Sequence, residues 1–366
     1  MELHNYWWLL IWPFLFGIIS AFIYLKQEEI VNGVRELRWR WIPAIILVIP
    51  YAIWAGWRTD SFGDTGIYRG AYKNMPTGLS NLSSYLENRP KGPGFAVFAY
   101  LFKTVVTSST YLFFLVIALI QLCFLIRIYR KYSRNYWLSI FLFIASTDYL
   151  SWMHNGIRQF LAATLIFTCI PLLTKRRYVL MCAVVLLAVL IHSSALIFLP
   201  FVFVINGRAW NGRTILFILT LSVAIYYVDS VSDILVDMMR DTVYEGDIDI
   251  YLNDNGTNLI RVLFYAVPTA MSWFFRPYII RANDSMINIC VNLSIISTGI
   301  YIFSFFTSGI LIGALPIYFS LGNYILIPWL IEEVFHDSSK KVLYFIFVLV
   351  YSIFFIYQCG PTWGLL

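Results

Sequence analysis

Two short stretches hold most of the side chains that could do chemistry. The first is W-R-T-D-S-F-G-D-T-G-I-Y-R, residues 57–69, which sets the carboxylates Asp60 and Asp64 among Arg58, Tyr68 and Arg69. A carboxylate beside arginine can act as general base for a hydroxyl nucleophile. The plainer reading is a solvated loop whose acids and bases pair with one another. The second stretch is H-N-G-I-R-Q-F-L-A, residues 154–162, with His154, Arg158 and Gln159 at the mouth of an apolar helix. The first turn of a helix offers free N–H donors and positive potential. Arg158 and Gln159 there favour an anion, above all a phosphate. An arginine that merely snorkels outward is the competing explanation.

Four further residues, in three stretches, follow the same logic. Arg89 and Lys91 stand in E-N-R-P-K-G-P-G-F, just before an apolar segment, where headgroup snorkelling explains them equally well. His192 ends an apolar run in L-I-H-S-S-A-L, and a lone histidine at a helix end is more often structural than catalytic. Arg261, in N-L-I-R-V-L-F, repeats the placement of Arg158 at the start of an apolar helix. Two such arginines with the loop at 57–69 would make a cationic clamp for a diphosphate.

These residues need elements to position them, and composition says which. The chain of 366 residues is 60% hydrophobic and 13% charged, against roughly 25% charged in soluble domains. Its mean hydropathy is +0.73. Apolar runs recur at 6–25, 41–57, 109–127, 136–152, 159–174, 178–192, 195–205, 214–228, 260–275, 286–306, 315–331 and 341–358. The sequence thus predicts an all-α, polytopic transmembrane bundle of about twelve spans, forming one integral-membrane domain over 1–366.

Loop charge orients the bundle. K-Q-E-E-I-V-N-G-V-R-E-L-R-W-R, R-I-Y-R-K-Y-S-R, T-K-R-R, R-P-Y-I-I-R and D-S-S-K-K alternate with less basic loops and belong in the cytoplasm. Both termini then lie outside. An odd number of crossings is required between 93 and 127, so 94–106, which carries Lys103, is read as an interfacial helix within a first external loop at 58–108. Asp229, Asp233, Asp237 and Asp241 put an acidic stripe on an external segment, 229–258, that is either a lid or a solvated face. The D-I-D of 247–249 is a weak match to a metal motif, and no metal or cofactor is expected. The net charge of +6 is spread over short loops and does not suggest nucleic acid. Cys123, Cys169, Cys182, Cys290 and Cys359 read as small packing residues. The N-terminal M-E-L-H-N-Y-W-W lacks a basic region and cleavage site and reads as a retained first span.

The chain resembles the EpsG family of Wzy-like polysaccharide polymerases. The resemblance rests on R-T-D-S-F-G-D-T-G-I-Y-R-G-A-Y (58–72), N-R-P-K-G-P-G-F (88–95), N-G-I-R-Q-F-L-A (155–162), A-V-L-I-H-S-S-A-L-I-F-L-P (188–200) and I-Y-F-S-L-G-N-Y-I-L-I-P (317–328). It implies a GT-C-like fold and a glycosyltransferase that polymerises polyprenyl-diphosphate-linked oligosaccharides at the outer face of a bacterial inner membrane. Membrane lipid is its surroundings, and a flippase and a chain-length regulator are implied as pathway partners. On that resemblance Arg158 and Arg261 neutralise the leaving diphosphate, and Asp64 or Asp60 activates the acceptor hydroxyl. Arg58, Tyr68, Arg69, Arg89, Lys91, His154 and Gln159 contact substrate, and His192 belongs to the catalytic group. One position departs from the family: Ala314 stands where members tend to carry arginine. Either the chain dispenses with that charge, or Ala314 is a substitution that leaves an inactive variant, able to bind but slow to turn over.

Rival functions are a transporter or flippase for lipid-linked oligosaccharides, an O-antigen-ligase-like transferase and a histidine-dependent acyltransferase. Transport asks for polar groups near the bilayer midplane, whereas the ionisable residues here gather at the outer ends of the apolar runs.

Overall fold

A computed structural model describes all residues except 1, 2, 4, 21, 24, 32, 33, 88–91, 240–245 and 247. The chain is mostly helical, and the strands among the described residues form one two-stranded hairpin. Four helices are long and apolar enough to cross a membrane: Thr110–Tyr132, Ile157–Thr174, Ser285–Phe305 and Asp337–Thr362. Gly212–Tyr226 and Val228–Asp237 make a fifth if a pair bent by 91° is one span. Most of the other expected spans fall on shorter apolar helices of 10–17 residues, such as Trp8–Ser20, Trp41–Gly56 and Leu259–Phe274.

The chain forms two compact units. One comprises Met1–Thr168, Leu190–His192 and Phe335–Leu366; the other comprises Cys169–Val189 and Ser193–Val334. In the first unit, α1 (Trp8–Ser20) leads to β1 (Lys26–Val31), β2 (Val34–Trp39) and α2 (Trp41–Gly56). Next come α3 (Thr65–Asn74), α4 (Leu82–Glu87), α5 (Pro93–Leu101), α6 (Thr110–Tyr132), α7 (Tyr136–Ala145) and α8 (Ile157–Cys169). Pro13 within α1 has no N–H to give the carbonyl of Leu9, and Tyr51 Oη donates to that oxygen instead, at 2.9 Å. Trp12 Nε1 donates to Leu47 O at 2.8 Å and Tyr136 Oη to Ala44 O at 2.9 Å. Aromatic donors aimed at backbone carbonyls thus tie α1, α2 and α7 together where water cannot.

The segment expected to lie in the interface is helical: α5 continues as a π-helical turn, Phe102–Val106. Lys103 does not point away from it. Its Nζ donates to the carbonyls of Lys73 at 2.8 Å and Met75 at 2.5 Å, closing the C-terminal end of α3. Tyr72, Phe95, Tyr100, Phe113, Phe114, Ile157 and Leu161 form one apolar cluster, so α3, α5, α6 and α8 share a core.

The basic loop between the first two apolar runs contains the hairpin. Its strands pair antiparallel from Lys26 opposite Trp39 to Val31 opposite Val34. Arg130, at the end of α6, grips Glu29 with Nη1 at 2.9 Å and Nη2 at 2.6 Å and lies 4.1 Å over the Trp41 ring. Arg38 is buried, reaching Ser133 O at 2.5 Å and the Glu36 carboxylate. Arg38 and Arg130 therefore fasten the hairpin to α6.

In the second unit, α9 (Pro171–Thr174) precedes α10 (Tyr178–Ile191), α11 (Phe198–Val204) and α12 (Gly212–Tyr226). Then follow α13 (Val228–Met239), α14 (Ile248–Leu252), α15 (Leu259–Phe274), α16 (Arg276–Ala282), α17 (Ser285–Phe305), α18 (Ile317–Ser320) and α19 (Asn323–Val334). The expected acidic stripe falls on α13 as far as Asp237, while Asp241 lies outside the described residues. α20 (Asp337–Tyr357) returns to the first unit.

Glu29→Gln should lower the unfolding temperature of the purified protein, because it leaves Arg130, whose side chain is 5% exposed, without its counter-charge. Removing one partner of a buried pair costs about 3–5 kcal/mol, and the 28% exposure of Glu29 places this case at the low end. Replacing both, as Glu29→Leu with Arg130→Leu, should recover most of the loss in the same melting experiment. Equal melting of Glu29→Gln and wild type would show that the pair does not hold the hairpin.

Candidate active site

The polar loop after α2 is stapled to the residues just before α8. Between α7 and α8 the chain makes a π-helical turn, Tyr149–Asn155, a rare geometry that leaves carbonyls available at its end. Arg58 Nη1 donates to Met153 O, Thr65 Oγ1 donates to His154 O at 3.3 Å, and the Asp64 N–H donates to Asn155 Oδ1 at 2.8 Å. Three consecutive residues of the turn therefore hold the loop. Gly63 sits between them at φ +59°, and a Cβ built there would lie 2.5 Å from Asn155 Oδ1. No L side chain fits.

The staple sorts the charged groups of the loop. Arg58 is 1% exposed, with its guanidinium 4.0 Å from the Phe114 ring centroid. Arg69 is buried too; its Nε donates to Asp60 Oδ1 at 2.7 Å and its Nη2 to Arg58 O at 2.8 Å. Asp60 is thus neutralised by a specific partner. Asp64 is at the surface, on the last residue before α3. Partial burial raises its pKa above the ordinary 3.8, and the nearby Arg158 guanidinium offsets part of that rise.

Arg158 is the second residue of α8, at its positive end. Its guanidinium carbon lies 5.9 Å from the Tyr68 ring centroid. Its Nε, like that of Arg58, is buried with no hydrogen-bond partner among the described residues. Gly92 lies alongside in the left-handed region at φ +69°, where a Cβ would stand 3.7 Å from Arg158 Nη1 and 2.7 Å from Ile191 O. The chain enters α5 there, and Ile191 is followed by half-buried His192. Asp64, Tyr68, Arg158, Gly92 and His192 are therefore all residues of the first unit. Gln159 points into the protein at 8% exposure. His154 is 1% exposed; burial and the charge of Arg58 hold its pKa well below the usual range, so it is neutral. It stacks edge-on to Tyr149 at 5.0 Å. Arg89 and Lys91 lie outside the described residues.

Arg261 and Ala314 belong to the second unit. Arg261 stands in the first turn of α15, whose N-terminus is capped by Asn258 Oδ1, and its guanidinium lies 5.8 Å from the Tyr265 ring centroid. Ala314 is half-buried, in the loop that follows α17. Asp254 Oδ2 ties that loop, accepting from Ser308 Oγ at 2.7 Å and from the Ile310 N–H at 2.6 Å. The Thr257 N–H donates to Ser304 O at 3.0 Å. Arg261 and Ala314 thus flank one pinned pair of loops. In the same unit Ser194 Oγ and Tyr318 Oη are 3.0 Å apart, joining two of the motifs quoted above.

Two positioning residues escaped the reading of side-chain chemistry. Asn155 holds Asp64 through its amide oxygen, and the Asn-Gly pair before a helix was its only signal. Gly92 brings the start of α5 against Ile191, and the G-P-G letters gave only a turn.

A family model described as the EpsG family matches residues 41–359, which take in the stapled loop, the π-helical turn, Arg158, Arg261 and Ala314. No curated protein and no solved structure matches the chain. With that match over most of its length, the chain belongs to the EpsG family, whose role is that of a membrane polysaccharide polymerase of the glycosyltransferase type.

Proposed function

We propose that the chain extends a polysaccharide by joining polyprenyl-diphosphate-linked oligosaccharides at the outer face of a bacterial inner membrane. The observation that carries this reading is the pair of Asp64, a carboxyl with a raised pKa, and Arg158, the guanidinium in the first turn of α8 whose charge tempers that rise. The acceptor hydroxyl attacks the anomeric carbon of the donor chain, and its proton passes to Asp64. The bond from that carbon to the diphosphate oxygen breaks. Negative charge grows on the leaving diphosphate, and Arg158 meets it with donors already in place. Arg261, in the first turn of α15, is assigned the same phosphate chemistry, and His192 and Tyr68 are assigned to the sugar.

Arg58, Arg69 and His154 have a different part in this reading. Each is buried and serves the loop or the π-helical turn, so they position Asp64 rather than contact substrate. The shorter apolar helices complete a bundle of about twelve spans with GT-C character and both termini outside. A flippase would supply substrate to this face, and a chain-length regulator would act on the product. A ligase-like transferase would share the donor chemistry and differ in acceptor.

Laddered polymerisation of a purified lipid-linked repeat unit tests the assignment. Asp64→Asn should lower turnover by about 10²–10⁴-fold, the usual contribution of a general base. Arg158→Ala should cost about 10²–10³-fold, and Arg158→Lys less, since charge survives but the planar fork does not. A ladder unaffected by both changes would remove the site.

The pH profile gives a second check. Turnover should fall on acidification with an inflection above the ordinary carboxyl value of 3.8, and in Arg158→Ala the residual activity should inflect higher still, because the cation that lowers the Asp64 pKa is gone. Asp64 binds its proton more tightly folded than unfolded, so its ionisation detracts from stability as pH rises through that window. Asp64→Asn should accordingly melt no lower than wild type at neutral pH. Ala314→Arg should raise turnover if Ala314 marks an inactive variant; unchanged polymerisation would show that the chain dispenses with that charge.

A further inference from the structure

The N-terminus of α1 lies near the stapled loop, since the Leu3 N–H donates to Trp57 O at 3.0 Å. At the other end of α1 and α2, beside the hairpin, the first unit contains a groove of about 620 Å³. That size is in the ~300–1,000 Å³ range of ligand pockets. Its walls are Phe14, Ile18, Trp39 and Trp137, with Lys26 and Asn135 supplying polar groups.

The aromatic walls are fixed in place. Trp137 Nε1 donates to Pro13 O at 2.8 Å, and the Trp137 ring stacks on Phe141 at 5.4 Å. Phe14 meets Phe141 edge-on at 5.4 Å, and Trp39 stacks on Phe16 at 5.9 Å. α1 comes close enough to Trp137 because residue 17 is glycine; a Cβ there would lie 3.1 Å from Trp137 Nε1. Ile18, 62% exposed, forms an apolar lip.

The polar groups differ from their neighbours. Arg38, Arg130 and Arg134 are engaged by Glu36, Glu29 and Glu36. Lys26 is exposed and has no ion pair or hydrogen bond from its ammonium among the described residues. Asn135 uses Oδ1 to cap α7 through the Leu138 N–H at 3.1 Å, so Nδ2 remains as a donor. No carboxylate lines the groove. An aromatic trough lined also by a cation and an amide donor suits an acyl chain that carries a phosphate. The basic loops at this end also assign it to the cytoplasmic leaflet, where anionic lipids raise the local negative potential.

We propose that this groove binds one anionic phospholipid, with an acyl chain between Trp39 and Trp137 and the headgroup phosphate at Lys26 and Asn135. The site is separate from Arg158 and does not depend on the polymerase reading. It would brace α1 and the hairpin against α7.

Native mass spectrometry of the full chain, released from detergent after titration with phosphatidylglycerol or phosphatidylcholine, tests this. Wild type should retain one phosphatidylglycerol with about fivefold preference, the equivalent of ~1 kcal/mol for one lysine at a membrane surface. Lys26→Glu should abolish the preference, and Ile18→Trp, which fills the trough, should reduce retention of both lipids. Excess inorganic phosphate should not displace the bound lipid; displacement would mean a phosphate site without an acyl component. Equal retention of the two lipids by wild type, or an undiminished preference in Lys26→Glu, would overturn the proposal. Lys26 is an exposed side chain, so that variant decides the matter even if Ile18→Trp fails to fold.

Discussion

The candidate site depends on how the chain satisfies the end of one short π-helical turn. Ordinary α-helix between α7 and α8 would pair the carbonyls of Met153 and His154 within the helix. The π-helical turn breaks that pattern, and Arg58 and Thr65 from a loop distant in sequence complete it. Buried backbone oxygens in an apolar setting are costly to leave unpaired. The loop is thus held by backbone needs, and Asp64, which lies between Arg58 and Thr65 on one side and Asn155 on the other, is carried to the start of α8 as a consequence. Position there is set by hydrogen bonds that involve neither Asp64's carboxylate nor Arg158's guanidinium.

That separation of roles explains why two carboxylates four residues apart end in different states. Asp60 accepts from Arg69, and Arg69 is itself fixed by the Arg58 carbonyl, so its charge is balanced inside the fold. Asp64 is held through its main-chain N–H, and its carboxyl is free to respond to its surroundings. Burial lifts its pKa while Arg158 restrains the rise.

Much of the helical layout was legible in the sequence, because an apolar run long enough for a helix has few other uses. The runs at 109–127, 286–306 and 341–358 correspond to α6, α17 and α20. The hairpin at 26–39 was not, since Lys, Gln, Glu and Arg dominate it and only Asn32-Gly33 carried a turn signal. Helix α3 was hidden for a similar reason: T-G-I-Y-R-G-A-Y-K-N contains two glycines and reads as a loop until Tyr72 packs on Phe113 at 4.1 Å. The residue types of the site were legible as well. What spacing could not show was which arginine faces inward. Arg58, Arg69 and Arg158 look alike in sequence, and the difference between them is whether their Nη atoms meet an acceptor among the described residues.

That difference is the strongest physical argument for a ligand. Arg38, Arg58, Arg69 and Arg130 all find carbonyl or carboxylate oxygens within the first unit, the outcome expected of a guanidinium removed from water. Arg158 is oriented by its helix and flanked by Tyr68 and Gly92; its Nε is buried and unpartnered like those of Arg38, Arg58 and Arg130, but its Nη atoms meet no carbonyl or carboxylate oxygen among the described residues. In the proposed reading, the Nη donors of Arg158 are the ones left for an oxygen that arrives with the substrate. In that reading the end of α8 adds positive potential beside the guanidinium, so an incoming phosphate would meet both together.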